Sequence, residues 1–275
     1  MKGRVLIIAG SDSGGGAGIQ ADIKSVTALG GFAATAITAL TAQNTLGVHD
    51  VFPVDTGFIR MQMRVVLDDI GADSLKTGML HSAEVIEAVC AVIENEAAGI
   101  PLVVDPVMVA KGGASLLDRD SVTTLRDRLL PLARVITPNI PEAEEILGAA
   151  GTISTVADMK QAAEALKALG PAAVLVKGGH MEGDALSDVL LDDTGFHVFE
   201  TRRIDTAHTH GTGCTLASAI AAGIAQGMEL PAAVARAQAY VVAAIKGAPG
   251  YGAGHGPIDH GHTVAAFGAA PFGKA

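Results

Sequence analysis

Short apolar runs alternate with segments of helical periodicity along this chain, and that alternation constrains the fold more than any other feature. Several runs lack polar alternation, which predicts strands buried on both faces, as in a parallel sheet covered by helices. Repeated strand–helix units imply right-handed crossovers and a doubly wound α/β sheet that binds ligands at the carboxyl ends of its strands. The predicted strands are Val5–Ala9, Ala33–Leu40, Leu102–Val104, Val135–Ile136 and Ala173–Val176. The predicted helices are Ala17–Leu29, Phe58–Asp69, Ala83–Glu96, Ser121–Leu129 and Val156–Leu169.

The last third of the chain adds a hairpin and two helices to this pattern. Asp188–Leu191 and Phe196–Glu200 flank an Asp-Asp-Thr-Gly sequence, which is typical of a β-hairpin turn. Thr212–Gln226 and Ala232–Lys246 have the apolar spacing of two final helices. The glycine- and alanine-rich segment Gly250–Ala275 carries no signal that assigns it to a helix or a strand.

Composition limits the classes of function. A net charge of −10, no Trp and two Tyr argue against a nucleic-acid surface, which needs basic residues and stacking aromatic rings. We find no window of 18 uninterrupted apolar residues and no basic run, so we expect no membrane contact. Two widely spaced cysteines are not a disulfide framework and favour a reducing, cytoplasmic location. Because no linker, charge block or repeat divides the chain, we predict one domain over residues 1–275.

A glycine-rich loop, Gly10–Gly18, follows the first predicted strand. It is not a Walker A loop, since no Lys-Ser or Lys-Thr pair follows the glycines, and it lacks the spacing of the dinucleotide fingerprint. Such a strand–loop–helix unit lets the backbone approach a small ligand closely, and the alternative is a tight turn alone. Asp22, on the following helix, is either a ligand contact or a solvated carboxylate in the first turn.

Two adjacent amides, Gln43 and Asn44, are predicted to lie just past the second strand. A carboxamide offers both a donor and an acceptor, so this pair suits the edge of a heterocycle.

Polar residues follow three later strands. Asp105 ends one strand, Asn139 and Glu142 lie beyond the next, and Lys177 with two glycines ends another. The oxygen ligands suit Mg²⁺ and its waters, and the lysine suits a phosphate neighbour. The alternative for Asn139 and Glu142 is a helix cap with a carboxylate at its third position.

The segment Thr209–Thr215 contains two glycines, Gly211 and Gly213, at the start of a long apolar helix. Its backbone amides and the positive end of the helix dipole favour an anion, typically phosphate. A cysteine at such a helix start, Cys214, is expected to have a lowered pKa and to serve as base or nucleophile. The alternative is a glycine turn beside a buried thiol.

Other chemically capable residues are interpreted as structural. Cys90 shares the apolar spacing of its helix and is predicted to be buried. His208 and His210 lack partners with metal-ligand spacing. Met61 and Met63 are interpreted as core or interface residues.

Taken together, the motifs resemble the ribokinase-like superfamily, and within it the hydroxymethylpyrimidine/phosphomethylpyrimidine kinases of thiamine biosynthesis. The resemblance runs in order across residues 5–262. It is carried by Ala9–Asp22, Ile37–Thr45, Lys76–Leu80, Asp105–Met108, Thr137–Asn139 with Glu142, Lys177–His180 and Thr209–Thr215.

This resemblance implies a mostly parallel central sheet with helices on both faces, and phosphorylation of 4-amino-5-hydroxymethyl-2-methylpyrimidine and then of its monophosphate, using ATP and Mg²⁺. It implies a homodimer as well. By the same resemblance, the implied substrate contacts are Gln43, Asp22, Gly10, Met79 and Val107. Asn139, Lys177, Thr212 and Gly213 would hold the nucleotide, Asp105 and Glu142 the metal. The implied catalytic residues are Cys214, Gly211, Gly213 and Lys177. Sugar kinases of the superfamily mostly carry Asp where this chain has Cys214.

Two other functions remain open at this point. A pyridoxal or pyridoxine kinase has a similar fold and phosphorylates a similar hydroxymethyl heteroaromatic compound. A non-catalytic pyrimidine- or nucleotide-binding regulator is a second alternative, although Asn139, Glu142, Lys177 and Cys214 together argue against it.

Overall fold

A nine-stranded sheet runs through the residues that the computed structural model describes, 2–108, 117, 119–179 and 183–265. Its spatial order is β3-β2-β1-β4-β5-β6-β7-β8-β9. Neighbours from β2 to β7 pair in parallel, whereas β3, β8 and β9 pair antiparallel at the two edges. The strands are β1 Arg4–Asp12, β2 Phe32–Asn44, β3 Gly47–Pro53, β4 Ser74–Thr77, β5 Leu102–Val104, β6 Val135–Ile136, β7 Val174–Val176, β8 Ala185–Asp192 and β9 Gly195–Arg202.

Helices cover both faces of the sheet, as predicted, and each face has its own apolar core. Leu6 and Ile8 of β1 pack into one core with α2, α3 and α6, while Val5 and Ile7 pack into the other with α1, α7 and α8. Alternate side chains of one strand therefore serve opposite cores, which explains the unbroken apolar run. The helices are α1 Gly18–Ala28, α2 Thr56–Asp69, α3 Ala83–Glu96, α4 Arg119–Thr124, α5 Ile140–Leu147, α6 Val156–Lys167, α7 Thr212–Ala225 and α8 Leu230–Lys246.

The order of the strands reverses at β1, which lies between β2 and β4. The crevice outside the carboxyl ends of strands at such a switch point is where doubly wound sheets bind ligands. The structure therefore places the glycine loop after β1 and the residues that follow β4 at the expected ligand crevice.

Several predicted boundaries were wrong. After a register shift between Ala9 and Ser11, β1 continues beside β2 to Asp12, and β2 itself runs to Asn44. Gln43 consequently lies inside a strand and pairs with β3, which was not predicted. The helix predicted over Ser121–Leu129 is instead α4 followed by a wider π-helical turn at Leu125–Leu129, which keeps both of these leucines buried.

The predicted hairpin is confirmed as β8 and β9, with longer strands than expected. The described part of the Gly250–Ala275 segment, as far as residue 265, is largely irregular, and the remainder of it lies outside the described residues, as does His180. Among the described residues, no helix combines the length and the apolar character needed to cross a membrane.

Candidate active site

A cavity of about 1400 Å³ opens along the carboxyl ends of the parallel strands and over the start of α7. The structure brings every predicted site residue except Asp22 to its wall. Those residues are Gly10, Gln43, Met79, Asp105, Val107, Asn139, Glu142, Lys177, Gly211, Thr212, Gly213 and Cys214. Residues that lie far apart in the sequence therefore share one volume, as the strand-end pattern predicted.

The carboxylate of Asp12, only 2% exposed, organises the glycine loop. Its Oδ1 accepts a hydrogen bond from the Gly14 amide at 2.8 Å, and its Oδ2 accepts from the Gly16 and Ala17 amides at 3.0 and 2.8 Å. Burial favours the neutral acid, but hydrogen bonds from His210 and the loop amides outweigh burial and lower the pKa of Asp12. This residue was not predicted from the sequence, although an aspartate before a glycine run is a known signal for a turn of this kind.

His210 connects this loop to the segment before α7. Its Nε2 lies 2.9 Å from Asp12 Oδ2 and 3.3 Å from Gln43 Nε2, and the residue is buried. The sequence indicated no role for His210, because its partners lie in distant parts of the chain. It is a polar link between the loop, the predicted substrate contact and α7.

Two glycine segments pack backbone against backbone at this link. Gly211 caps α7 with a left-handed φ of +82°, and a Cβ there would overlap the carbonyl oxygen of Gly16. A Cβ at Gly16 would in turn lie 2.5 Å from His210 Cδ2. Only glycine fits either position, so the glycine segment before α7, whose alternative interpretation was a turn alone, is a rigid contact that fixes where α7 begins.

The start of α7 forms part of the cavity wall through Thr212, Gly213 and Cys214. The first amides of a helix have no partner within the helix, and the helix dipole places partial positive charge at the same point. A Cβ at Gly213 would lie 3.4 Å from Lys177 Nζ and 3.7 Å from Asp105 Oδ2, so the helix start faces a charged pair. This geometry can hold an anion between α7 and Lys177.

Asp105 and Lys177 form that ion pair, with Nζ 3.1 Å from Oδ1, while Thr137 Oγ1 donates to the same carboxylate oxygen at 3.2 Å. Burial alone would lower the pKa of Lys177, but attraction by Asp105 and Glu142 outweighs burial and raises it. Burial, with repulsion by Asp105, raises the pKa of Glu142 to about 7 against the attraction of Lys177. The ammonium group of Lys177 therefore stays protonated next to the start of α7 at neutral pH.

Asn139 and Glu142 form a capping box at the start of α5, as the structural alternative predicted. Asn139 Oδ1 accepts from the Glu142 amide at 2.9 Å, and Glu142 Oε2 accepts from the Asn139 amide at 2.9 Å. Both residues nevertheless line the cavity. Since a carboxylate offers about four acceptor positions, the cap does not use up the capacity of Glu142.

The predicted lowering of the Cys214 pKa was wrong. Burial raises the pKa of this thiol to about 12; Lys76 lowers it, but Asp22 and Asp105 add to the rise. Removal from water therefore outweighs the attraction of Lys76. The other cysteine, Cys90, is fully buried, as predicted.

The prediction for Asp22 also needs correction. Its side chain is fully buried and forms an ion pair with Lys76, so it is not a solvated carboxylate, and it is not among the residues that line the cavity. Ser218 Oγ donates to Asp22 Oδ1 at 2.7 Å. Asp22 thus lies behind the cavity wall, whereas Lys76 reaches it.

Comparison with known proteins identifies relatives over nearly the whole chain. The family model described as phosphomethylpyrimidine kinase matches residues 12–259. The hydroxymethylpyrimidine/phosphomethylpyrimidine kinase of Streptomyces coelicolor is 48% identical over 260 residues, 94% of this chain and 95% of the relative. The thiamine biosynthesis bifunctional protein ThiED of Geobacter sulfurreducens is 52% identical over 94% of this chain, which spans 52% of that longer protein. The ADP complex of Bacillus subtilis pyridoxal kinase superposes with a TM-score of 0.86 at 38% identity, covering 95% of this chain and 98% of the other.

The backbone contact at Gly211 leads to a direct test. We expect Gly211→Ala to lower the melting temperature and to reduce the turnover of bound nucleotide at least tenfold, because a Cβ displaces the start of α7 from the loop. Gly227→Ala is the matched control, since Gly227 has a similar φ of +80° but no described neighbour within 4 Å of the position that a Cβ would take. The control should show only the left-handed penalty of about 1–2 kcal/mol. Equal melting temperatures and equal turnover in the two variants would contradict the assigned role of the contact.

Proposed function

The chain belongs to the phosphomethylpyrimidine kinase family, and we propose that its cavity carries out both phosphorylations of that family through the residues described above. The enzyme is a hydroxymethylpyrimidine/phosphomethylpyrimidine kinase, a phosphotransferase of thiamine biosynthesis that uses ATP. Its substrates are 4-amino-5-hydroxymethyl-2-methylpyrimidine and the monophosphate of that compound.

One observation carries the assignment of roles: the start of α7, with Cys214, faces the Asp105–Lys177 ion pair across one cavity. Phosphoryl transfer needs a positioned acceptor, a metal and stabilisation of the charge on the transferred group. Amides at Gly211 and Gly213 would hold the transferred phosphoryl group, and Lys177 would neutralise it. Asn139 and Thr212, on the same wall, would contact the nucleotide phosphates.

Asp105 and Glu142 are the proposed ligands of Mg²⁺. Magnesium ions at nucleotide sites use one or two carboxylates together with substrate phosphates and several waters. Both carboxylates line the cavity beside the anion site, so the donor set fits this ion. When bound, Mg²⁺ would neutralise phosphate charge and align the nucleotide. Lys177 would then neutralise the negative phosphate charge that Mg²⁺ leaves uncompensated.

The pyrimidine would bind nearer to β1 and β2. Gln43 offers a donor and an acceptor to the ring edge, and Gly10, Met79 and Val107 line the same cavity. A Cβ at Gly10 would lie 3.3 Å from Met79 Sδ, so a side chain there would take the space of a flat ring. Asp22 does not line the cavity, so it would affect the substrate only indirectly, through its ion-pair partner Lys76 in the cavity wall.

The proposed transfer begins at the hydroxymethyl oxygen. Its proton passes to the Cys214 thiolate, the oxygen forms a bond to the γ-phosphorus of ATP, and the bond to the β,γ-bridging oxygen breaks to release ADP. In the second phosphorylation the acceptor is a phosphate oxygen, which is already anionic near neutral pH because the second phosphate pKa is about 6. The second step therefore needs no base.

A pyridoxal kinase activity is the alternative enzyme function. The observation that favours it is the close superposition on Bacillus subtilis pyridoxal kinase, with a TM-score of 0.86. A pyridoxal side activity would use the same cavity, since both substrates present a hydroxymethyl group on a six-membered heteroaromatic ring.

A substrate panel separates these functions. We expect the purified chain with Mg²⁺ to convert ATP to ADP at the expense of hydroxymethylpyrimidine, with kcat/KM at least tenfold above that for pyridoxal. Each compound is assayed alone, by coupled ADP release and by mass detection of the phosphorylated product. A higher kcat/KM for pyridoxal would assign the chain to vitamin B6 salvage, and binding without turnover would favour a regulator.

The role of Cys214 is tested by comparing the two phosphorylations. Cys214→Ser should lower kcat for hydroxymethylpyrimidine by about 10²–10⁴-fold, the usual contribution of a general base. It should lower kcat for the monophosphate much less, because that acceptor carries no proton to remove. The second step thus serves as the internal control, measured on the same preparation. Equal losses in both steps would indicate a structural thiol, and no loss would assign catalysis to the backbone amides and the metal.

We propose a homodimer that forms at the β2–β3–α2 edge of the sheet. Large apolar side chains are exposed there, and α2 packs against β2. They are Leu40, Leu46, Phe52, Phe58, Met61 and Val65, between 45% and 69% exposed. An apolar cluster of this kind beside an edge strand is typical of an interface.

The dimer has its own test. Introducing charge with Phe52→Glu and Met61→Glu should convert a dimer of about 55 kDa, twice the chain mass of 27.7 kDa, to a monomer in light scattering after size exclusion. Val264→Glu is the matched control, because Val264 is also exposed, at 64%, but lies outside this cluster. A monomeric wild-type chain at micromolar concentration would refute the proposal.

We further propose one domain, since the described strands form one continuous sheet. A cytoplasmic location is proposed as well, because Cys90 and Cys214 are both free thiols.

A further inference from the structure

A fully buried ion pair lies directly behind the cavity wall. Lys76 Nζ, on β4, is 2.9 Å from both carboxylate oxygens of Asp22, on α1, and neither side chain is exposed. Ser218 Oγ, on α7, donates to Asp22 Oδ1 at 2.7 Å. Three elements, one from the sheet and two from the same helical layer, are thus joined through one carboxylate.

Such a pair has no evident structural advantage. Removing two charges from water is costly, and apolar residues of similar volume often stabilise a core equally well or better. The pair is also placed asymmetrically, because Lys76 reaches the cavity wall whereas Asp22 does not. The arrangement directs a cation toward the ligand volume and keeps its counterion behind it.

The spacing on α7 brings Cys214 to this cation. Cys214 and Ser218 are four residues apart and therefore lie on the same face of the helix. Since Ser218 donates to Asp22, that face is turned toward α1 and β4. Cys214 consequently lies one helical turn nearer the cavity, where Lys76 also reaches the wall.

The charged groups that face the thiol come from four elements. Lys76, on β4, lowers the pKa of the thiol, whereas Asp22, on α1, and Asp105, after β5, raise it. Lys177, after β7, also interacts with the thiolate charge. Lys177 is held by Asp105 at 3.1 Å and faces the start of α7 at Gly213. Lys76 attracts the thiolate and thereby lowers the pKa of Cys214.

We propose that Lys76 is a positioning residue that stabilises the Cys214 thiolate, and that Asp22 and Ser218 hold the Lys76 ammonium where it can do so. Asp22 then affects phosphorylation through Lys76 and Cys214 without touching the substrate. The inference deepens the proposed role of Cys214 and rests on that role for its catalytic meaning, but the electrostatic link itself can be tested without turnover.

The test measures thiolate formation directly. In a Cys90→Ser background Cys214 is the single thiol of the chain. Its rate of alkylation by iodoacetamide is compared between variants at each pH from 6 to 10, below the pKa of about 12, where the rate is proportional to the thiolate fraction. The double variant Asp22→Asn/Lys76→Met removes both charges, which avoids leaving one of them buried and unpaired. We expect its alkylation rate at pH 8 to fall severalfold, because the attraction of Lys76 for the thiolate exceeds the repulsion by Asp22 that is lost with it.

A matched control removes the other ion pair. Asp105→Asn/Lys177→Met also deletes one anion and one cation from the cavity, and it should change the alkylation profile less. Equal shifts in the two double variants would overturn the specific assignment to Lys76, and so would an unchanged profile in Asp22→Asn/Lys76→Met. If that variant does not unfold cooperatively, the amide pair Asp22→Asn/Lys76→Gln, which can keep a hydrogen bond, replaces it with the same expected shift.

Kinetic data then separate this inference from the proposed base. A shifted alkylation profile together with full activity of Cys214→Ser would retain the electrostatic link and refute the base. An unshifted profile with an inactive Cys214→Ser would refute the link and retain the base. If both hold, Asp22→Asn/Lys76→Met should lower kcat for hydroxymethylpyrimidine more than kcat for the monophosphate.

Discussion

The buried Asp12 carboxylate is the interaction on which the site depends, because it joins two segments 198 residues apart in sequence. Its oxygens gather loop amides after β1 and also contact His210, the residue before Gly211. Gly211 packs against the backbone of Gly16, so the loop and the start of α7 cannot shift independently. The helix start therefore has a fixed position relative to β1, and the remaining cavity residues are arranged around it.

Two ion pairs divide the charge of the cavity in different ways. Asp105 and Lys177 both line the cavity and form an ion pair. When ligands bind, Asp105 can therefore contact a cation and Lys177 can contact phosphate instead of each other. Lys76 reaches the wall but its partner Asp22 does not, so its counterion stays with the protein. The first pair suits ligands that arrive and leave with charge. The second pair keeps the positive charge of Lys76 at a fixed point in the cavity wall, whether or not a ligand is bound. A proton acceptor such as the Cys214 thiolate requires a fixed charge of this kind.

The sequence predicted seven of the nine strands in the described part of the chain, all except β3 and β4, and most helices, because the periodicity that produces a two-sided apolar core is a local signal. It also placed the cavity residues, since the carboxyl ends of parallel strands meet at one edge. It failed where the deciding partner is remote. His210 gained its role from Asp12 and Gln43, and Asp22 was wrongly placed because Lys76 and Ser218 enclose it. β3 was missed for a similar reason. Its residues alternate only weakly between apolar and polar, and they form a strand because they pair with β2, a segment that the local pattern does not identify as a partner.

The pKa of Cys214 was mispredicted for a physical reason that bears on the reaction. A helix start stabilises a thiolate, but burial outweighs it and leaves the thiol neutral at rest. A neutral thiol does not repel an incoming triphosphate, as the aspartate implied for related sugar kinases would. A thiolate of high pKa is also a strong base toward a hydroxymethyl group, although it is rarely present. The rate of proton removal depends on both the basicity of the thiolate and the fraction of Cys214 that is present as thiolate. Their product is largest when the pKa of the thiol lies near the working pH, so a nearby cation that lowers this pKa increases the rate. Lys76 is placed to provide that cation, which makes Cys214 and Lys76 one functional unit.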